Sequence, residues 1–131
     1  MNIALWILQI LLAALFFWHG WLMVAPPAEL LEIMNAQLTP WFRMFIGVAE
    51  LLAAVGLILP GLTRIMPWLT VWAAAGLMIV MSSATVVHLV RGEISSAISA
   101  AVLFGLVTLV AYMRWKVKPI PARELALTAN A

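Results

Sequence analysis

Four long apolar stretches dominate this sequence and constrain its fold more than any other feature. They cover residues 3–25, 41–62, 66–90 and 97–115. Each is close in length to the roughly 20 residues that an α-helix needs to cross the hydrocarbon core of a bilayer. Only 9% of the residues are charged, against roughly 25% in a typical soluble domain. We therefore predict an all-α membrane protein whose four helices form an antiparallel transmembrane bundle.

The three connections between these stretches differ in length. Residues 63–65 and 91–96 predict tight turns, which favour antiparallel neighbours. Residues 26–40 are numerous enough for a structure of their own, and several apolar side chains fall on one helical face there: Leu30, Leu31, Met34 and Leu38. We expect a short helix in this first loop that lies on the membrane surface or covers the end of the bundle.

The domain organisation is simple. Residues 1–118 are expected to form one four-helix transmembrane domain. Residues 119–131 contain Pro119, Pro121 and several small residues, and we expect them to be a poorly ordered cytoplasmic tail. The first apolar stretch is longer than the roughly 7 to 15 apolar residues of a signal peptide, so we expect it to be a retained helix.

Lysine and arginine residues predict the orientation, because they concentrate in cytoplasmic segments. We name the side with both termini and the 63–65 turn the inner end, and the opposite side the outer end. The inner end carries Arg64, Arg114, Lys116, Lys118 and Arg123, and the outer end carries Arg43 and Arg91. We therefore expect both termini in the cytoplasm and the chain in the plasma membrane, which is the inner membrane of a bacterium.

Several classes of chemistry are disfavoured by the sequence. The chain has no cysteine, which excludes thiol chemistry and Cys-based clusters. No HExxH or other close metal-ligand spacing is present, so no metal site is predicted. The basic residues lie mostly near the C-terminus without interleaved aromatics, and we expect no nucleic-acid partner.

Three ionisable side chains inside the apolar stretches are the main site candidates. By the helical rise, Glu50 lies about 13 Å and His19 about 9 Å below the outer ends of their helices, while His88 is less than one turn from its outer end. Ionisable groups inside a membrane cost about 2.5–3.5 kcal/mol on insertion scales, so each needs a compensating partner. In the inner half, Gln9 is expected to make a hydrogen bond between helices.

These candidates converge on the outer half of the bundle. Arg43, Gly47, Glu50 and Ala54 share one stripe of the second helix, and its small residues favour close approach of another helix, so it should face the interior. If the first three helices pack around a common centre, Glu50 and both histidines share a pocket. The predicted ligand-binding residues are Glu50, His19, His88, Arg43, Trp18, Trp21, Met44 and Arg91, of which the first three are also the candidates for catalysis. The sequence leaves open whether Glu50 serves such a site or only locks helix packing.

Residues 43–60, 75–79 and 84–93 resemble, in order and spacing, segments of the DoxX-like family of small four-helix membrane proteins. The resemblance implies the four-helix fold and implies that Glu50 and His88 occupy positions shared by the family. Many members have a lysine three residues after a glycine at the outer end of the first helix. Here Met23 stands three residues after Gly20 in place of that lysine, and His19 is a candidate for the local substitute. Relatives include a subunit of a thiosulfate:quinone oxidoreductase and proteins linked to oxidative-stress complexes or membrane-protein assembly.

Three functions are compatible with these features. The first is the binding of a quinone-like or other lipophilic molecule in the outer-half polar pocket, as a redox-accessory subunit. Since no cofactor motif is present, the electrons would come from a partner. The alternatives are an assembly subunit without small-molecule chemistry and an intramembrane acid–base enzyme acting on a lipophilic substrate. The expected partners are the lipid membrane and either a second protein subunit or further copies of the chain.

Overall fold

The computed structural model describes residues 2–123, and within them the chain forms only helices, turns and short connections. Four helices are long and apolar enough to cross a membrane: α1 (Asn2–Val24), α3 (Pro40–Thr63), α4 (Leu69–Val90) and α5 (Ile94–Tyr112) with its π-helical extension Met113–Val117. A shorter helix, α2 (Ala28–Gln37), connects α1 to α3. The predicted all-α architecture with four long apolar helices is confirmed.

The helix ends differ from the predicted ones most clearly where α4 begins. It starts at Leu69, because Arg64 and Met66 both have positive φ, at 59° and 50°. Such values are rare outside glycine and end a helix. A turn follows, closed by the Leu69 N–H, which donates to the Met66 carbonyl at 3.0 Å. At the other junction α5 begins at Ile94, three residues before the predicted start, directly after Glu93.

The helices pack in the order α1, α3, α4, α5. Along the interface of α1 with α3, later residues of α1 contact earlier residues of α3. Gly20 lies against Gly47, and the Gln9 side chain reaches Leu57. The predicted stripe of α3 is buried, as expected. The core between the helices is apolar, and its most deeply buried members include Phe16, Leu57, Leu77, Val107 and Val110.

The first loop contains the predicted short helix, now bounded as α2. None of its residues is buried. The Nη2 atom of Arg91, in the turn between α4 and α5, donates to the carbonyl of Gln37 at 2.8 Å. This bond connects the C-terminal end of α2 to the outer end of the bundle. The position of α2 on a membrane surface stays a prediction.

The chain after α5 returns to the end of α3. The Arg64 side chain donates from Nε to the Pro121 carbonyl at 2.9 Å, and the Arg123 N–H donates to the Arg64 carbonyl at 2.8 Å. Residues 119–123 therefore pack at the inner end. The rest of the predicted 119–131 tail lies outside the described residues, and its poor order stays a prediction.

Candidate functional site

The structure brings two of the predicted site residues into direct contact. Nδ1 of His19 lies 2.6 Å from Oε2 of Glu50. The Glu50 side chain is 1% exposed and that of His19 is 54% exposed. The other carboxyl oxygen, Oε1, is buried without a hydrogen-bond partner among residues 2–123. The pair thus connects a buried carboxyl group to the outer surface of α1.

Glycines explain why the two helices approach closely enough for this bond. A Cβ atom on Gly20 would lie 2.9 Å from the backbone oxygen of Gly47 and 3.1 Å from Cβ of Glu50. A Cβ atom on Gly47 would lie 3.0 Å from the Gly20 oxygen. Any side chain at either position would push α1 away from α3, so these glycines set the distance between His19 and Glu50.

His88 makes a second bond of the same kind. Its Nδ1 lies 2.6 Å from Oε2 of Glu93. Gly92 has a φ of 73°, which glycine adopts without strain, and the Glu93 N–H then donates to the His88 carbonyl at 2.8 Å. The tight turn between α4 and α5 therefore folds Glu93 back onto His88.

Both histidines line the same cavity, which lies between α1, α4 and α5 and has a volume of about 280 Å³. The serine side chains of Ser95, Ser96 and Ser99 add polar groups to its wall, and the remaining lining is apolar: Leu15, Phe16, Met81, Ala84, Ala100 and Leu103. Glu50 does not line this cavity. Its bond to His19 connects it to the cavity wall.

Arg43 is buried beside the end of α1 rather than in the cavity. Its Nη1 donates to the carbonyl of Met23, in the last turn of α1, where carbonyl groups lack helical partners and a cation is favourable. The only ion pairs among residues 2–123 are the two His–Glu pairs, so Arg43 does not pair with Glu50. Arg43 therefore caps α1.

The other predicted ligand contacts lie outside the cavity. Trp18, Trp21 and Met44 are exposed at 63%, 51% and 38%. Arg91 is bonded to α2 through Gln37. Ligand binding by these four residues and by Arg43 stays a prediction.

The sequence reasoning missed a second polar cluster, at the inner end. The Gln9 amide donates to the Leu57 carbonyl at 2.7 Å, which confirms the predicted bond between helices. Its oxygen accepts a bond from Nε of Arg114 at 2.5 Å, and Nη1 of Arg114 donates to Asn2 at 2.6 Å. From the sequence, Arg114 contributes to the predicted orientation, and its place within an apolar stretch is the signal that could have indicated burial.

Metal binding has no geometric support in the described part of the chain, where no group of three His, Asp or Glu side chains is placed to hold an ion.

Comparison with models of known protein families gives a match over most of the chain. The sequence model of the DoxX-like family matches residues 7–111, which include all four apolar helices in whole or in large part. No curated protein and no solved structure matches the chain.

Proposed function

The chain belongs to the DoxX-like family and is an integral membrane protein, and we propose that it binds a quinone-like or other lipophilic molecule in its outer-half cavity as a redox-accessory subunit. The observation that carries the proposal is the pairing of each cavity-lining histidine with a carboxyl group, at 2.6 Å in both cases. An imidazole whose Nδ1 is engaged by a carboxylate is fixed in orientation, and Nε2 remains as its second polar atom.

The cavity suits a ligand that is largely apolar with a few hydrogen-bonding oxygens. Small-molecule sites are mostly apolar and contain a small number of placed polar groups. Here Leu15, Phe16 and Leu103 supply apolar surface, and the two histidines supply the polar groups. With a volume of about 280 Å³, the cavity fits a ring system of quinone size, while an isoprenoid tail would extend into the bilayer.

The role of Glu50 in this proposal is indirect. It bonds to Nδ1 of His19 from a buried position, so it can hold His19 in one tautomer and pass a proton to it. A bound quinone gains protons when it is reduced, and a His–Glu pair at the cavity wall supplies a route for them. A partner subunit would supply the electrons.

The proposal includes a location. The larger number of basic residues at the inner end favours the cytoplasm for that end, which would place the cavity in the outer half of the plasma membrane. Reactivity of a cysteine introduced at Ser95, compared with one introduced at Lys116, toward an impermeant maleimide in intact cells would test this orientation.

Binding of decylubiquinone to the purified full-length protein tests the main proposal. We expect saturable binding, measured by thermal stabilisation in detergent, that weakens by up to about tenfold in His19→Ala and in His88→Ala, as for the loss of one hydrogen bond. Ser99→Val, which alters the cavity wall, should also weaken binding. Ser82→Val is the matched control, because the Ser82 hydroxyl likewise bonds a carbonyl of its own helix but does not line the cavity. No binding by the wild type, or equal affinity in all variants, would contradict the proposal.

The same geometry favours a second candidate function, acid–base chemistry on a lipophilic substrate. Two His–Glu pairs on one cavity supply groups that can donate and accept protons. Glu50→Gln separates this candidate from pure binding. A self-contained enzyme would lose a product detected by metabolite profiling of cells while the variant stays folded, whereas a binding subunit would show no such product.

A further inference from the structure

The inner end of the bundle contains a buried cation that the proposed function does not use. Arg114 lies in the π-helical segment after α5 and is 3% exposed. Its Nε donates to Gln9 and its Nη1 donates to Asn2 and, at 3.1 Å, to the Lys118 carbonyl. All of these acceptors are neutral, so the hydrogen bonds leave the charge of the guanidinium uncompensated.

The remaining nitrogen of Arg114, Nη2, has no hydrogen-bond partner in the part of the chain that the structure describes. A guanidinium has five N–H donors, and Nη2, with two of them, is buried without a hydrogen bond among residues 2–123. In the same part of the chain no carboxylate oxygen lies within 4.0 Å of Arg114. The Trp6 ring lies 5.2 Å from its Cζ, which favours a cation there but supplies no anion. Burial of an unpaired charge is costly, so this site favours an additional anion.

A cavity of about 540 Å³ adjoins Arg114. Its wall includes two more basic residues, Arg64 and Lys118, together with Trp6 and Asn2, and among residues 2–123 no acidic residue lines it. The chain thus places three cations around one cavity at the end where α1, α3 and the segment after α5 meet.

We propose that this inner-end cavity binds a phosphate group. The planar fork of arginine matches phosphate oxygens and lysine adds a point charge. Two sources share this chemistry. One is the head group of an anionic lipid, since basic pockets between membrane helices bind such head groups; the other is free inorganic phosphate. The inference is independent of the cavity lined by His19 and His88.

Thermal unfolding of the purified full-length protein in a zwitterionic detergent tests this inference. The probes are dioleoylphosphatidylglycerol, dioleoylphosphatidylcholine and sodium phosphate, each at matched ionic strength. We expect stabilisation by phosphatidylglycerol or by phosphate, and the probe that acts identifies the source. Each basic residue near an anionic lipid contributes about 1 kcal/mol of attraction, which corresponds to about fivefold in affinity. The affinity for the active probe should therefore fall about fivefold in Lys118→Gln and about 25-fold when Arg64→Gln is added.

Lys116→Gln is the matched control. Lys116 is an exposed cation of the same segment, but it lies over Trp115 and does not line the cavity. Unchanged affinity for the active probe in Lys116→Gln together with a loss in Lys118→Gln supports the site. The single Lys118 variant leaves the bonds of Arg64 to residues 121 and 122 intact. An equal loss in both lysine variants, or no stabilisation of the wild type by either probe, would overturn the inference.

Discussion

Nδ1 of His19 lies 2.6 Å from Oε2 of Glu50, and this bond joins an exposed imidazole on α1 to a buried carboxyl group on α3. An isolated carboxyl group is expensive inside a membrane. The bond to His19 compensates part of this cost and places a polar group at the cavity wall. The stability of the bundle and the proposed ligand binding would therefore both depend on this one contact between two helices.

Gly20→Ala should destabilise the protein by about 1–3 kcal/mol, because the new methyl group meets the backbone oxygen of Gly47, which cannot swing aside. The measurement is thermal or denaturant unfolding in detergent. Gly76→Ala is the control, since a Cβ atom there meets nothing within 4 Å and alanine favours a helix. Equal stability of the two variants would show that the approach of α1 and α3 does not depend on Gly20.

Gln9→Leu should lower the free energy of unfolding by about 1–3 kcal/mol, because it leaves the Leu57 carbonyl and Nε of Arg114 buried without their partner. Gln37→Leu makes the same change at an exposed position of α2 and should have little effect. A Gln9 variant as stable as the Gln37 variant would mean that water or another group replaces the lost bonds at no cost.

Arg91→Gln should loosen α2 without loosening the bundle. The Arg91 side chain holds the carbonyl of Gln37, and α2 has no buried residue to keep it in place. Hydrogen exchange followed by mass spectrometry should show faster exchange in residues 28–37 and unchanged exchange in α3 and α4. Unchanged exchange in α2 would mean that contacts other than this bond hold the helix.

The sequence was sufficient to predict the four helices because their length and hydropathy follow directly from the thickness of a bilayer. Their ends were harder to predict. The start of α4 depends on the positive φ values of Arg64 and Met66, which are set by the turn and not by hydropathy. The buried stripe with Gly47 and Glu50 was predictable because small residues recurred at helical spacing beside a charge.

The candidate site was predicted in part. The proximity of His19 to Glu50 was expected, because the helical rise places them about 9 Å and about 13 Å below the outer ends of their helices, both in the outer half. The pairing of His88 with Glu93 was not foreseen, because it depends on how the turn at Gly92 folds back. Arg114 was missed as a buried residue, since a cation near a helix end is ordinarily exposed and its three acceptors come from distant or irregular parts of the chain.

The central claim is that the cavity lined by His19 and His88 holds a lipophilic ring. Crystals of the full-length protein soaked with 2-bromo-1,4-naphthoquinone and measured at the bromine absorption edge test it most directly. We predict an anomalous peak inside this cavity, between α1, α4 and α5, that is weaker in crystals of His19→Ala soaked at the same concentration. A peak instead in the groove lined by Trp68, Trp72 and Trp115, or no peak at all in the wild type, would contradict the claim.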